Sequence, residues 1–397
     1  RTLRHNPKGR AALRWGYFSA RRRYTQSTRC ARRAGSQSFI WNKQTALLLP
    51  RQTKKWPPAV VMMKRQQTLE QRINAAWYGR PGWLLLLLPL TFLFRFIAAL
   101  RRKLITPQSC GAPVIVVGNI SVGGSGKTPV VLALANFCRD RAYRVGIVSR
   151  GYGGRAPHYP FKLESNTEPG IAGDEPCLIA RRSGLPVVVA PDRVAAAKLL
   201  VEQHNCNLII SDDGLQHYRL ARDIEVLLVD GQRGFGNGHC LPVGPLREPI
   251  RRVSSVDLTV INGGSSSLSG HTMLLAGDTA VKLSSGENSG ESRCLTDWPQ
   301  TSRRVHAVAG IGNPSRFFDA LRSKGFDVIE HPFADHHIYS ESDLQFADDF
   351  AVIMTEKDAV KCSRFTLENT WMLPVDADID DAFYVAFSSL LERLPRS

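Results

Sequence analysis

The chain has 397 residues, 43% of them hydrophobic, and a formal net charge of +17. That length and apolar content suit a globular α/β protein with room for two domains. The charge does not indicate a nucleic-acid partner: residues 1–61 hold fifteen Lys or Arg and no Asp or Glu, so the other 336 residues carry 37 basic against 35 acidic side chains.

The basic first stretch, with RRRYTQSTRCARR inside it, reads either as an Arg-rich, acid-poor transit segment or as sequence extraneous to the working protein. The second is expected, and the stretch is expected to be disordered, because apolar periodicity begins only after Met62 and Met63, in KRQQTLEQRINAAWYG. The eight cysteines are scattered, with no C-x-x-C pair, so neither a disulfide framework nor a zinc site is expected.

Trp83 to Leu100 reads WLLLLLPLTFLFRFIAAL. It is apolar enough for lipid, but Pro89 and Arg95 interrupt it and it falls short of the roughly 20 residues that a spanning helix wants. Residues 62–104 are therefore expected to form a helical segment lying in a membrane surface, with a single spanning anchor as the alternative. Arg72 and Arg80 before the stretch and Arg101, Arg102 and Lys103 after it give no crossing direction.

The chain is organised around VIVVGNISVGGSGKT, Val114 to Thr128. The β-branched run at Val114 to Val117 suits a strand buried on both faces of a parallel sheet. A loop follows, Ser121, Val122, Gly123, Gly124, Ser125, Gly126, whose glycines let successive N–H groups converge on an anion at the start of a helix. Lys127 would reach the β and γ phosphates of a nucleotide, and Thr128 Oγ1 would ligate Mg²⁺. The strict pattern G-x-x-x-x-G-K-S/T is met except at its first position, where Ser121 stands.

Further strands are expected at Arg144 to Ser149, Pro186 to Ala190, Asn207 to Gly214 and Ile224 to Gly231, with Asp257 to Gly263 as the last of this sheet. Their ends carry the chemistry. RGYGGR, with Arg150 and Tyr152, suits phosphates or is an ordinary turn. GDEP, with Asp174 and Glu175, read alone caps a helix. Arg193 again follows a strand. In SDDGLQH, Asp212 or Asp213 would hold Mg²⁺, with His217 in the same loop. In the long Gly- and Pro-rich loop that follows residue 230, Arg247 and Glu248 would contact phosphate and metal, or form a solvated charge pair.

Residues 264–300 read as a linker containing a hairpin that turns at Gly277 and Asp278. A second, smaller α/β domain is expected over 301–397, with its last strand at Trp371 to Val375 and the core domain over 105–263.

In this order the motifs NISVGGSGKTP, RGYGG, GDEP, PDR, SDDGLQH, GPLREP, AGIGNP, DHHIY and MTEKD resemble those of the tetraacyldisaccharide 4'-kinase family of lipid A synthesis, over residues 62 to about 390. The resemblance implies a P-loop kinase, a mostly parallel sheet with helices on both faces, that transfers the γ-phosphate of ATP to the 4'-hydroxyl of a tetraacylated glucosamine disaccharide 1-phosphate. It implies ATP and Mg²⁺ as cofactors, the lipid A precursor and a membrane surface as partners with no protein partner evident, and work at the cytoplasmic face of the bacterial inner membrane. It also implies that Asp174 is a base paired with His336 or His337, that Lys127 and Arg247 serve the transfer, that Thr128, Asp213 and Glu248 serve the metal, and that Arg150, Tyr152, Glu175, Arg193 and His217 serve the substrate. Two rivals fit less well. A partition-type membrane ATPase switch wants a lysine where Val122 stands, and a GTPase wants N/T-K-x-D, whereas the lysine of TEKD is one place late.

Overall fold

The computed structural model describes residues 69–264, 268–284, 287–365 and 367–395. The expectations for residues 1–61 lie outside these.

The described chain opens on α1 (Leu69–Trp77), and a tight helical turn (Gly82–Leu87) then runs directly into α2 (Leu88–Leu104). Turn and helix together make an apolar rod of 23 residues, Gly82–Leu104, long and apolar enough to cross a membrane. It exceeds the stretch read from the sequence because Pro89 falls in the first turn of α2, where a missing N–H costs nothing. The rod is docked along one side: Leu84 is buried with Ala76 and Val243, and Thr91 Oγ1 donates to Cys240 O at 3.3 Å.

A first group of elements builds the core: β1 (Val114–Gly118), α3 (Lys127–Arg139), β2 (Val145–Ser149), β3 (Phe161–Lys162), α4 (Pro169–Ala172), α5 (Asp174–Ser183), β4 (Val187–Val189), α6 (Arg193–His204), β5 (Leu208–Asp212), β6 (Ile224–Asp230), β7 (Leu258–Asn262) and β8 (His271–Ala276). A second group follows: β9 (Thr279–Ser284), β10 (Glu287–Cys294), β11 (Arg304–Ala309), α7 (Pro314–Ser323), β12 (Asp327–Pro332), β13 (Ala351–Thr355), α8 (Glu356–Lys361), β14 (Thr370–Leu373), β15 (Asp376–Ile379) and α9 (Asp381–Leu391).

Among the described residues, nine strands form one sheet in the order β15-β8-β7-β6-β1-β5-β2-β4-β3, and six form another in the order β10-β9-β14-β13-β11-β12. From β8 to β4 the first sheet is parallel. Every residue of β1, β5, β6 and β7 is buried, as strands covered by helices on both faces must be. β1 lies between β5 and β6, so the loop after it and the ends of β2 and β5 open onto the same edge of the sheet, outside the carboxyl ends of the strands.

Three sequence expectations are corrected here. Residues 257–263 are not the last strand of the first sheet, which continues through β8 and β15. Gly277 and Asp278 do not turn a hairpin, because β8 joins the first sheet and β9 the second; the hairpin is β9 with β10. Nor does the chain end in the second sheet. After β14 it crosses back, β15 pairs antiparallel with β8, and α9 packs Phe383 and Phe387 into the core that holds α3. The outgoing and returning crossovers run against each other, since a Cβ at Gly277 would stand 2.7 Å from Pro374 O. Local alternation cannot distinguish this from a hairpin, because the partners that decide it lie about a hundred residues away.

Candidate active site

The glycine-rich loop is fastened from outside. Tyr78 Oη donates to Val122 O at 3.1 Å, Asn119 Nδ2 to Gly123 O at 3.2 Å and Asn262 Nδ2 to Ser125 O at 2.9 Å. Gly123 (φ 111°) and Gly126 (φ 88°) take backbone conformations that side chains disfavour, and a Cβ on Gly126 would lie 2.6 Å from Asn262 Nδ2. Among the described residues no backbone carbonyl receives the N–H groups of Gly123, Gly124, Ser125 or Gly126. With its carbonyls tied outward, the loop offers these donors and the start of α3 to an anion.

Two carboxylates stand at the end of β5 and behave differently. Asp213 (φ 47°) lies 3.6 Å from Lys127 Nζ and 3.2 Å from Arg247 Nη1. Burial works against its charge, yet Lys127 and Arg247 outweigh it and hold the carboxyl below the usual range. Asp212 is fully enclosed, accepts from Ser149 Oγ at 3.1 Å, and is pushed up to about 7 by burial, with Glu175 and Asp213 adding to the rise. Its Oδ1 and the buried Oγ of Ser125 have no hydrogen-bond partner among the described residues.

The donors suit a hard cation. Thr128, Asp212 and Asp213 line the cleft and present oxygen ligands, the chemistry Mg²⁺ prefers. Among the described residues no three His, Cys, Asp or Glu side chains could enclose a metal by themselves, which matches an ion held by one or two protein oxygens together with phosphates. Glu248 fits this role less well. Both its oxygens are engaged, Oε1 by Gln216 Nε2 at 2.8 Å and Oε2 by Tyr218 Oη and by Arg252 at 3.4 Å. Arg247 turns to Asp213, so Arg247 and Glu248 are not the solvated charge pair that the sequence allowed.

Across the cleft, the loop after β12 brings His336 to the start of α5. His336 Nδ1 lies 3.0 Å from Asp174 Oδ2 and 3.2 Å from Oδ1, whereas His337 pairs with Asp343. Asp174 is buried, and burial would raise its pKa, but the bond from His336 and the charge of Lys357 hold it below the usual carboxylate range. The same bond raises His336 above an ordinary histidine, against burial and the Lys357 charge. The N-cap of α5 is Gly173, and Asp174, the first helical residue, accepts from Glu175 N through Oδ1 at 2.9 Å, so its carboxylate serves the helix start as well as His336.

Arg150, Tyr152 and Glu175 also line the cleft, and the Tyr152 ring lies 5.1 Å from the His336 ring. Arg193 and His217 are not among the described residues lining it. Arg193 is buried beneath, donating to Ala190 O at 2.8 Å and Asp212 O at 3.4 Å, and His217, with an unpartnered buried Nε2, is pushed down to about 4 by burial and by Arg193. Arg193 therefore ties strand ends where the sequence expected a substrate contact, and His217 sits outside the cleft lining among the described residues.

The cleft, about 1840 Å³, lies between the two sheets and reaches Phe94, Ile97 and Arg101 of α2. Its second-sheet wall holds residues that motif reading did not assign to the site. Gly312 comes so close that a Cβ there would stand 3.0 Å from Gly124 N, and Arg316 reaches Asn262 O at 3.0 Å. Lys357, from TEKD, is the third. Its signal in the sequence was only a lysine between two acids after an apolar strand.

Comparison with known proteins agrees with this geometry. A family model described as tetraacyldisaccharide-1-P 4'-kinase matches residues 83–392. The tetraacyldisaccharide 4'-kinase of Hahella chejuensis is 46% identical over 333 residues, covering 81% of this chain and 97% of that protein. That of Methylobacillus flagellatus is 46% identical over 334 residues, covering 83% and 98%. The crystal structure of the "apo" form of LpxK from Aquifex aeolicus in complex with ATP superposes with a TM-score of 0.63 at 29% identity, covering 78% of this chain and 98% of that one.

Proposed function

We propose a course of phosphoryl transfer for this chain, which belongs to the tetraacyldisaccharide-1-P 4'-kinase family. It is an ATP-dependent kinase acting on the 4'-hydroxyl of a tetraacylated glucosamine disaccharide 1-phosphate, a step of lipid A synthesis. The observation that carries the mechanism is the Asp174–His336 pair, in which His336 lines the same cleft as the glycine-rich loop and Asp174 is buried behind it.

ATP lays its phosphates on the N–H groups from Gly123 to Thr128, with Lys127 and Arg247 beside the γ-phosphoryl group. Asp174 takes the proton of the 4'-hydroxyl as the oxygen attacks phosphorus and ADP departs. A sugar hydroxyl is a poor nucleophile, so the base must be charged and within about 3 Å of the proton it removes. His336 supplies the positive partner that keeps Asp174 ionised despite burial. Lys127 and Arg247 neutralise charge on the transferring group. Thr128 and Asp213 would hold Mg²⁺, which would supply further neutralisation of the phosphate charge. Arg150, Tyr152 and Glu175 contact the sugar headgroup. The apolar face of α2 lies in the membrane surface at the cytoplasmic side, where ATP and the lipid meet, and leads the acylated substrate into the cleft.

The test is incubation with γ-labelled ATP and the tetraacylated disaccharide 1-phosphate in detergent. Label should enter the lipid with the wild type and not with Lys127→Ala. ATP hydrolysis without labelled lipid would favour the ATPase switch instead.

A further inference from the structure

One ammonium group joins the sequence neighbours of both members of the dyad. Lys357 Nζ lies 3.0 Å from Glu175 Oε1, next to Asp174, and 3.1 Å from Asp335 Oδ1, next to His336; it is also 3.7 Å from Asp174 Oδ2. The lysine is not a loose surface cation, since only 16% of its side chain is exposed. Its backbone is fixed as well. Thr355 Oγ1 caps α8 by accepting from Asp358 N at 3.2 Å, Asp358 Oδ2 accepts from Gly310 N at 2.9 Å, and Glu356 pairs with Arg182 of α5 at 2.8 Å. Thus α8 and α5 are joined by two ion-paired contacts of opposite polarity, one of which ends at the dyad.

We propose that Lys357 is a positioning residue for the transfer: its ammonium spans α5 and the 335–336 loop, holding Asp174 charged and His336 in register against it. This rests on the reading of Asp174 as the base. The charges that face the pair are Asp335 on the loop and Lys357 and Lys361 on α8, with Glu175 on α5 paired to Lys357 beside them. Three carboxylates meet here, so without Lys357 only His336 and the more distant Lys361 would balance them. Lys357 lowers both Asp174 and His336. Its loss raises both, so Asp174 becomes protonated at a higher pH and the acid limb of the rate profile moves upward. A purely structural ion pair would change stability and leave that limb in place.

The experiment measures ATP affinity, kcat and the pH profile of kcat/KM for Lys357→Met, Lys357→Arg and Asp174→Asn. For Lys357→Met, ATP affinity should be unchanged, kcat should fall about tenfold or more, as for other groups that orient a reactive ligand, and the acid limb should move to higher pH. Lys357→Arg, which keeps the charge, should return the limb to its wild-type position. An unmoved limb in Lys357→Met, with or without a fall in kcat, overturns the proposal. If that variant does not fold, Lys357→Gln, which keeps donors at the position, is read by the same criterion. Asp174→Asn separates the two levels. If it retains wild-type turnover, the base reading falls and this proposal with it; if it is inactive while the Lys357 variants match wild type in rate and limb, only Lys357 loses its role.

Discussion

His336 Nδ1 meets Asp174 Oδ2 at 3.0 Å, although 162 residues separate them in the chain. His336 holds a left-handed backbone (φ 61°), with its N–H turned to Asp335 Oδ1 at 3.1 Å. Such a conformation costs a non-glycine residue of order 1 kcal/mol or more, and it survives where surrounding contacts fix it. The contacts that fix it here come from both sheets, so the dyad exists only when the two sheets face each other across the cleft.

The first prediction concerns that dependence. Asp174→Asn and His336→Asn should each lower kcat by about two to four orders of magnitude, the usual contribution of a positioned acid or base. The double variant should be little worse than the poorer single one, because the groups act as a unit. Steady-state kinetics at saturating ATP decides it: multiplied defects would mean independent roles, and wild-type turnover in Asp174→Asn would remove the base.

The pair should also leave a mark on stability. His336 is raised in the folded state, so its contribution is complete below the ordinary histidine value of about 6.5 and is lost as pH rises through the folded value. Asp174 is lowered, so its contribution is complete above the ordinary carboxylate value of about 3.9 and is lost as pH falls through the folded one. Wild type should therefore exceed His336→Asn in stability most between about pH 4 and pH 6.5, and by less at pH 9. Urea unfolding of both proteins at pH 5.5 and pH 9 checks the sign; equal differences at the two values would contradict it.

Arg193 gives a prediction of the opposite kind. It follows a strand, as Arg150 does, yet it is buried, with burial pulling its pKa down to about 10, and its guanidinium ties the carbonyls of Ala190 and Asp212. Arg193→Ala should cost about 1.5–3 kcal/mol of folding stability, the range for hydrogen bonds to a charged group. The KM for the lipid should stay near wild type in the molecules that remain folded. A stable variant with a greatly raised KM would restore the role in substrate binding that the sequence suggested.

These cases show what the sequence could express. The loop from Ser121 to Thr128 was legible because strand, glycines and helix start are adjacent and carry their own chemistry. The parallel core strands were legible for the same reason, as short continuous apolar runs. The partners of β8 were not, because its pattern suits a hairpin and only pairing with distant β15 decides otherwise. Arg150 and Arg193 look alike in one dimension and differ in burial, a property of the folded chain. Lys357 was hidden because its partners come from two distant segments, the start of α5 and the 335–336 loop, and neither interval carries a periodic signal. His336 was the expected partner of Asp174 in preference to His337, and it is His336 Nδ1 that lies 3.0 Å from Asp174 Oδ2.

The last prediction addresses the apolar rod Gly82–Leu104, whose two sides do different work. Leu84 is 1% exposed and packs on Val243, whereas Leu86, Phe92 and Phe96 are 83%, 63% and 65% exposed. So many large apolar side chains facing outward on one rod make the surface expected to meet lipid under the proposed function. Arg101, Arg102 and Lys103 close its last turn, where they suit both the helix dipole and anionic headgroups. Replacing Leu86, Phe92 and Phe96 together with serine removes three side chains that are each worth about 1.5–3 kcal/mol when fully buried. Since about 1.4 kcal/mol is a factor of ten in an equilibrium constant, even partial insertion makes the loss visible in cosedimentation with anionic vesicles. Turnover of detergent-dispersed substrate and the urea midpoint should change little, because these side chains do not support the core. Leu84→Ser should do the reverse, lowering the midpoint and leaving lipid binding largely in place. If the triple variant still sediments with vesicles as wild type does, the exposed face is not the membrane contact, and the route by which the acylated substrate reaches the cleft must lie elsewhere.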